Sequence, residues 1–321
     1  MILPGNTNAR LRALAIPVLL FAALACVPWL AGYGSTAYVM SLATRILILA
    51  IAAMSLDLLI GYAGLVSFGH AAFLGIGVYS VGILSALGHQ NGFLQLGVAL
   101  AAAAVFALVT GAIAIRTRGV YFIMITLAFG QMLYFVATAL SQFGGDDGMS
   151  LDTRSQFFGH ALLKSDRGLY YVSLGVLVAV FILLRCVVAS RFGRVLAGVR
   201  ENEIRMEAIG FRPFRFQLIA YVMSGMIAAL AGCLLANQAD FISPAPLAWQ
   251  RSGELIFMVV LGGLGTLYGP ILGAIAFLGI EEILSSWSED WGLVFGPLLV
   301  LSVFVARDGL GGLLRGREQR S

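Results

Sequence analysis

The chain has 321 residues, of which 60% are hydrophobic and 11% charged, against about a quarter charged in soluble domains. That is about 193 apolar residues, and a transmembrane helix takes about 20, so the stock supports roughly eight to ten spans. These figures exclude a water-soluble enzyme, a disordered protein and a secreted disulfide scaffold. They also disfavour an outer-membrane barrel, whose strands alternate apolar and polar residues. A polytopic all-α membrane protein, a single domain over 1–321, is the expectation. The net charge of +4 is carried by arginines, with Lys164 the lone lysine. The basic residues sit in short gaps between apolar runs, which fits topology rather than nucleic-acid binding.

Apolar runs fall at about 13–31, 36–60, 64–87, 93–115, 119–141, 169–189, 217–238, 254–268, 270–287 and 291–306. The first follows Arg10 and Arg12. It is too long for a signal-peptide core and carries Pro17 and Pro28, so it reads as a retained span. Cys26, Cys186 and Cys233 all lie inside runs and read as buried small hydrophobes, with no zinc spacing among them. The stretch 254–287 is too long for one span and is broken by LGGLGTLYGP. Splitting it places Arg307, Arg315, Arg317 and Arg320 on the same side as Arg10, Arg12, Arg116, Arg118 and the arginines of 185–215. The positive-inside rule therefore favours about ten passes, both termini cytoplasmic, with roughly fifteen of the twenty basic residues inside.

Two polar loops interrupt the runs. Segment 142–168 is external by this count, and its Gly-Gly-Asp-Asp-Gly core reads as a turn. A metal or acid–base site at Asp146 and Asp147 is possible, but a solvated loop or a docking surface explains the pair better. Segment 190–216 is internal. Asn202 can cap a short helix, Glu203 suits its first turn and Gly210 can end it. Ile204, Ala208 and Ile209 fall on one side, and Glu201 with Arg205 has i,i+4 spacing. Arginine flanking alone does not account for those glutamates and that punctuation.

Glycine clusters in GYAGLVSFGHAAFLGIGVY (61–79) and LGGLGTLYGPILGAIAFLGIEE (261–282), each with an aromatic–glycine step, Phe68-Gly69 and Tyr268-Gly269. Close helix packing explains such glycines. So does an internal repeat with interrupted helices along a central pathway. Arg45, Asp57, His70 and Gln131 are polar residues within apolar runs, so they should face protein or water. Ser67, Gly69, His70, Thr126 and Gln131 are the pathway candidates. The sequence has no GxxxxGK[ST], HExxH or GxSxG motif. Nothing in it can hydrolyse a nucleotide alone.

LDLLIGYAGLVSFGHAAFLGIGVYS (56–80), RGVYFIMITLAFGQM (118–132), GRVLAGVRENEIRMEAIGF (193–211) and LGGLGTLYGPILGA (261–274) together resemble the permease subunits of branched-chain amino acid ABC importers, of the LivM type. The resemblance extends over about 45–306. It implies a bacterial inner-membrane machine with a second permease subunit, two cytoplasmic ATP-binding subunits and a periplasmic substrate-binding protein facing 142–168. It implies no cofactor on this chain, with ATP and Mg used by the partner ATPases. The family's Glu-Ala-x-Gly docking element corresponds to Glu207, Ala208 and Gly210. With Arg200, Glu201, Asn202 and Glu203 these are the ATPase-coupling candidates. The same machine importing urea, short amides or aromatic acids is the alternative cargo. A stand-alone secondary transporter or channel is the alternative class, and it leaves the 190–216 loop without a role.

Overall fold

A computed structural model describes residues 7–30, 36–151, 153–157, 163, 165–286, 296–297 and 309–310. The 291–306 run apart from 296–297, Lys164, Asp152, Glu289, Asp290 and the arginines from 307 onward lie outside the described residues, as do the side chains of Arg10 and Arg12.

The described chain is all-α apart from one small ribbon. Nine helices match nine of the ten runs: α1 (Thr7–Leu30), α2 (Thr36–Asp57), α3 (His70–Ala86), α4 (Gly92–Ala114), α5 (Val120–Ala139), α6 (Asp166–Ala189), α9 (Pro213–Ala239), α10 (Trp249–Gly262) and α11 (Gly269–Ser285). Between α6 and α9 lie two short helices, α7 (Arg191–Glu201) and α8 (Glu203–Ala208). Among the described residues, Ala37–Ala63, α4, α5, α6 and α9 are long and apolar enough to cross a membrane. α3, α10 and α11 are shorter. At 1.5 Å per residue the 14 residues of α10 reach only about 21 Å. The 254–287 stretch is indeed divided, α10 ending at Gly262 and α11 starting at Gly269.

α9 is the central post and packs against α2, α3 and α4. Small residues permit this. A Cβ on Gly77 of α3 would run into the Ala229 carbonyl, and one on Gly232 of α9 into the Leu74 carbonyl. Ala99, Ala103 and Ala107 form the buried stripe of α4 at four-residue spacing, while Val98, Val105, Leu108 and Val109 are exposed. An apolar outside and a small-residue inside is the pattern of helices packed within lipid, where close backbone approach takes the place of a hydrophobic driving force.

The cysteines divide. Cys233 is buried, but Cys26 and Cys186 are exposed. Position within an apolar run fixes hydrophobicity but not which face meets the bundle, so the expectation of burial fails for those two.

The 142–168 segment folds back on the chain after α9. β1 (Met149–Ser150) pairs antiparallel with β2 (Phe241–Ile242). Gly148 (φ +78°) lies so close to the Ile242 carbonyl that a Cβ has no room. Arg154 Nη2 donates to Asp240 Oδ2 at 2.8 Å and Nη1 to Asp166 Oδ1 at 3.0 Å, fastening the loop to the ends of α9 and α6. The Asp240 carboxylate holds the Arg154 guanidinium above its ordinary pKa. Among the described residues no cluster suited to a metal occurs, Asp146 and Asp147 included.

Candidate functional site

The loop between α6 and α9 makes three corners, each at a residue suited to it. Ser190 leaves α6 with extended backbone, and its hydroxyl accepts from the Phe192 and Gly193 amides to start α7. Asn202 (φ −158°, ψ 100°) ends α7, and its side chain accepts from the Arg205 amide at 2.9 Å to start α8. Gly210 (φ +92°) turns the chain toward Pro213, the first residue of α9.

The expected short helix capped by Asn202 is α8, and a second helix, α7, precedes it. Glu201 belongs to α7 and Arg205 to α8, so the i,i+4 pair does not lie on one helix. Extended backbone at Asn202 breaks the repeat that such a pair requires. Glu203 instead reaches Arg118, the residue two before α5, with 3.1 Å between Oε2 and Nη2.

α7 buries Val195, Leu196 and Val199, and Met206 of α8 packs against Gly198. Beyond that contact α8 presents its side chains outward. Ile204 is 74% and Ile209 64% exposed, with Phe211 exposed beside them. Glu207, Ala208 and Gly210 are exposed too. Three exposed apolar side chains on one short polar loop form a candidate contact surface.

Arg200 connects that surface to the helix bundle. Its guanidinium donates to the Gly61 carbonyl, and its side chain lies over Gly64 (φ +72°), where a Cβ would sit 3.1 Å from Cγ. Residues 58–63 continue α2 as one π-helical turn, an element in which carbonyls lose their ordinary partners and which often accompanies function. Gly61 in turn lies against Gly265 of the second glycine block, with its missing Cβ position 2.8 Å from the Gly265 Cα. Asp57 Oδ1 accepts from the Gly265 amide at 2.8 Å, and the Tyr62 hydroxyl donates to the Gly265 carbonyl at 2.9 Å. The two glycine blocks are thus both helix–break–helix segments, and the breaks touch each other under Arg200.

The pathway candidates gather one turn away, at the start of α3. His70 is its first residue and is fully buried, with Nε2 2.8 Å from Ser55 Oγ of α2 and 3.5 Å from Ser224 Oγ of α9. Thr126 of α5 accepts from the Phe68 amide at 3.3 Å, and its carbonyl closes on Gly69. Gly130 packs against Gly69. Ser67 is fully buried near the Tyr221 hydroxyl. Ser67, Gly69, His70 and Thr126 form a sealed joint between α3, α5 and α9, and Gln131 is half-exposed at its margin. Asp57, Ser55, Ser224 and Gly265 complete these two joints but were outside the candidate set. Charge within an apolar run pointed to Asp57. Gly265 lies in the second glycine block, but no local signal paired it with Asp57, 208 residues before it.

A family profile described as branched-chain amino acid transport system, permease component, matches residues 38–303. The chain is 29% identical, over 96% of its length and 77% of the relative's, to the high-affinity branched-chain amino acid transport system permease protein LivM of Escherichia coli strain K12. Identity to the corresponding protein of Salmonella typhimurium strain LT2 is 28% over the same shares. It is also 28% identical, over 64% of its length and 63% of the relative's, to the autoinducer 2 import system permease protein LsrC of Yersinia pestis. No solved structure matches the chain.

Proposed function

We infer that this chain, which belongs to the permease components of branched-chain amino acid transport systems, is the membrane-spanning subunit of an ATP-driven importer for leucine, isoleucine and valine. It forms the translocation pathway with a second permease in a bacterial inner membrane. Two cytoplasmic ATPases drive it, and a periplasmic binding protein delivers substrate at the 142–168 loop. Both termini are cytoplasmic in this reading. The chain itself is not an enzyme and binds no cofactor; ATP and Mg belong to the ATPases.

The observation that carries the reading is the α7–α8 loop. It exposes Ile204, Ile209 and Phe211 and is tied through Arg200 to the contact between the two glycine breaks. An ATPase that grips α8 and changes shape pulls on Arg200, and so on Gly61, Asp57 and Gly265. Such a tie transmits displacement because packed elements shift between discrete arrangements rather than deforming smoothly. A channel or secondary transporter has no use for it. The LsrC relatives attach a different cargo to similar permeases, but they align with less of this chain than LivM does.

Co-purification of the chain with two ATP-binding subunits tests the reading. Ile204→Asp with Ile209→Asp should leave the chain folded, since both side chains are already exposed, and should release the ATPases. Glu207→Arg should abolish binding-protein-stimulated ATP hydrolysis. Leucine uptake that proceeds at full rate without any ATPase would contradict it.

A further inference from the structure

At the end of the bundle opposite α8, a cavity of ≈ 380 Å³ opens between α2, α11 and the chain around β2. Small-molecule sites run from about 300 to 1,000 Å³. Three charged side chains line it, Arg45 of α2, Arg251 of α10 and Glu282 of α11, and Glu254 of α10 and Glu281 of α11 pair with its two arginines. Arg251 pairs with Glu254, and Glu281 feels the charges of all four others. Charges on spanning helices are costly against lipid and belong beside water or protein. This face therefore does not look onto acyl chains.

One group of each sign lines the cavity without a close ion pair among the described residues. Arg45 is paired with Glu281, but its Nη2 stands 3.7 Å from Oε1, longer than a hydrogen bond, so the guanidinium keeps donors for a carboxylate. The Glu282 carboxylate accepts from the neutral Tyr38 hydroxyl and has no cation of its own among the described residues. Arg45, Glu282 and Tyr38 all line the cavity, and both charges act on the Tyr38 hydroxyl. Leu42, Val78, Leu235 and Phe241 supply an apolar wall beside them.

We propose that this cavity is a transit site for a zwitterionic amino acid with an aliphatic side chain. Arg45 takes the carboxylate, Glu282 takes the ammonium, and the wall from Leu42 to Phe241 takes the side chain. The assignment rests on the importer reading and adds to it a place where substrate pauses after delivery. Structural ion pairing accounts for Arg251 with Glu254 and, at 3.7 Å, loosely for Arg45 with Glu281. It does not account for Glu282, which lines the same cavity as Arg45 and has no cation among the described residues.

The test uses the full transporter in proteoliposomes, with Ser41→Cys at the cavity wall introduced after Cys26 and Cys186 are replaced by serine. Labelling of that cysteine by a cationic methanethiosulfonate is followed with L-leucine, with leucinol (no carboxylate) and with 4-methylpentanoate (no ammonium). L-leucine should slow labelling several-fold, and neither single-charge probe should. Arg45→Gln and Glu282→Gln should each remove the protection. Each should also lower leucine uptake about 10–100-fold, as expected for losing one charge-assisted hydrogen bond, with the binding protein's leucine affinity unchanged. Arg45→Lys, which keeps the charge but not the fork, should fall between. Labelling indifferent to leucine in a transporter that imports leucine overturns the site and leaves the importer reading standing, as does protection that survives Arg45→Gln. An assembled transporter that imports no leucine overturns the importer reading, and this site with it.

Discussion

Gly61 makes a contact that any side chain would prevent. Its missing Cβ position falls on the Gly265 backbone and the Asp57 carboxylate, none of which can swing away cheaply. Gly61→Ala should therefore destabilise the protein by about 1–3 kcal/mol, the usual cost of overpacking. Gly97→Ala in α4, where nothing lies within 4 Å, is the control and should leave the melt unchanged or raise it slightly, since alanine is the better helix former. Asp57→Ala removes the acceptor for the Gly265 amide and should cost about 1–3 kcal/mol, whereas Asp57→Asn keeps an oxygen there and should cost less. Both comparisons can be read from melting in one detergent. At this scale the sequence was half legible. A carboxylate or an arginine inside an apolar run is visible at once, so Asp57 and Arg45 stood out. Their partners, Gly265 and the pair Glu281 and Glu282, lie more than 200 residues away and share no spacing with them. Only the packing of α2 against α10 and α11 brings them together.

Among the elements, α8 follows most directly from its residues. An asparagine cap, a glutamate in the first turn and a left-handed glycine fix its ends, and all three were readable from side-chain chemistry alone. What was not read is α7, a second helix that ends at the same Asn202, because no cap before residue 202 was singled out. Asn202→Ala should cost α8 about 1 kcal/mol. Amide hydrogen exchange over 203–208 should rise while exchange over 191–201 stays as it was. The Arg154 fastening of the 142–168 segment is a second element-level device. Its carboxylate partners are about half exposed, so solvent screening holds its worth to about 1 kcal/mol. Arg154→Ala should accelerate proteolysis within 142–168 and leave the helices intact. Sequence spacing offered no route to β1 and β2, which are two residues each and 91 residues apart.

For the molecule as a whole, composition was the strongest guide. Hydrophobicity alone located nine helices, and the glycines correctly divided 254–287. It could not say that the two glycine blocks touch, because that contact depends on α2 packing against α10 and α11. What results is a bundle with a polar joint at one end, where Arg200, Gly61, Asp57 and Gly265 meet. A cavity with opposed charges lies at the other end, and α2, α10 and α11 run between the two. A pull at α8 reaches α2, α10 and α11 through the Arg200 joint, so Arg200 is where motor and pathway should come apart. The decisive measurement is ATP hydrolysis and leucine uptake in the same proteoliposomes, holding Arg200→Ala, the two ATPases and the binding protein. The account predicts an assembled transporter that still hydrolyses ATP while uptake falls at least about tenfold, a loss of about 1.4 kcal/mol in coupling. Hydrolysis and uptake both at the unmodified rate would contradict it.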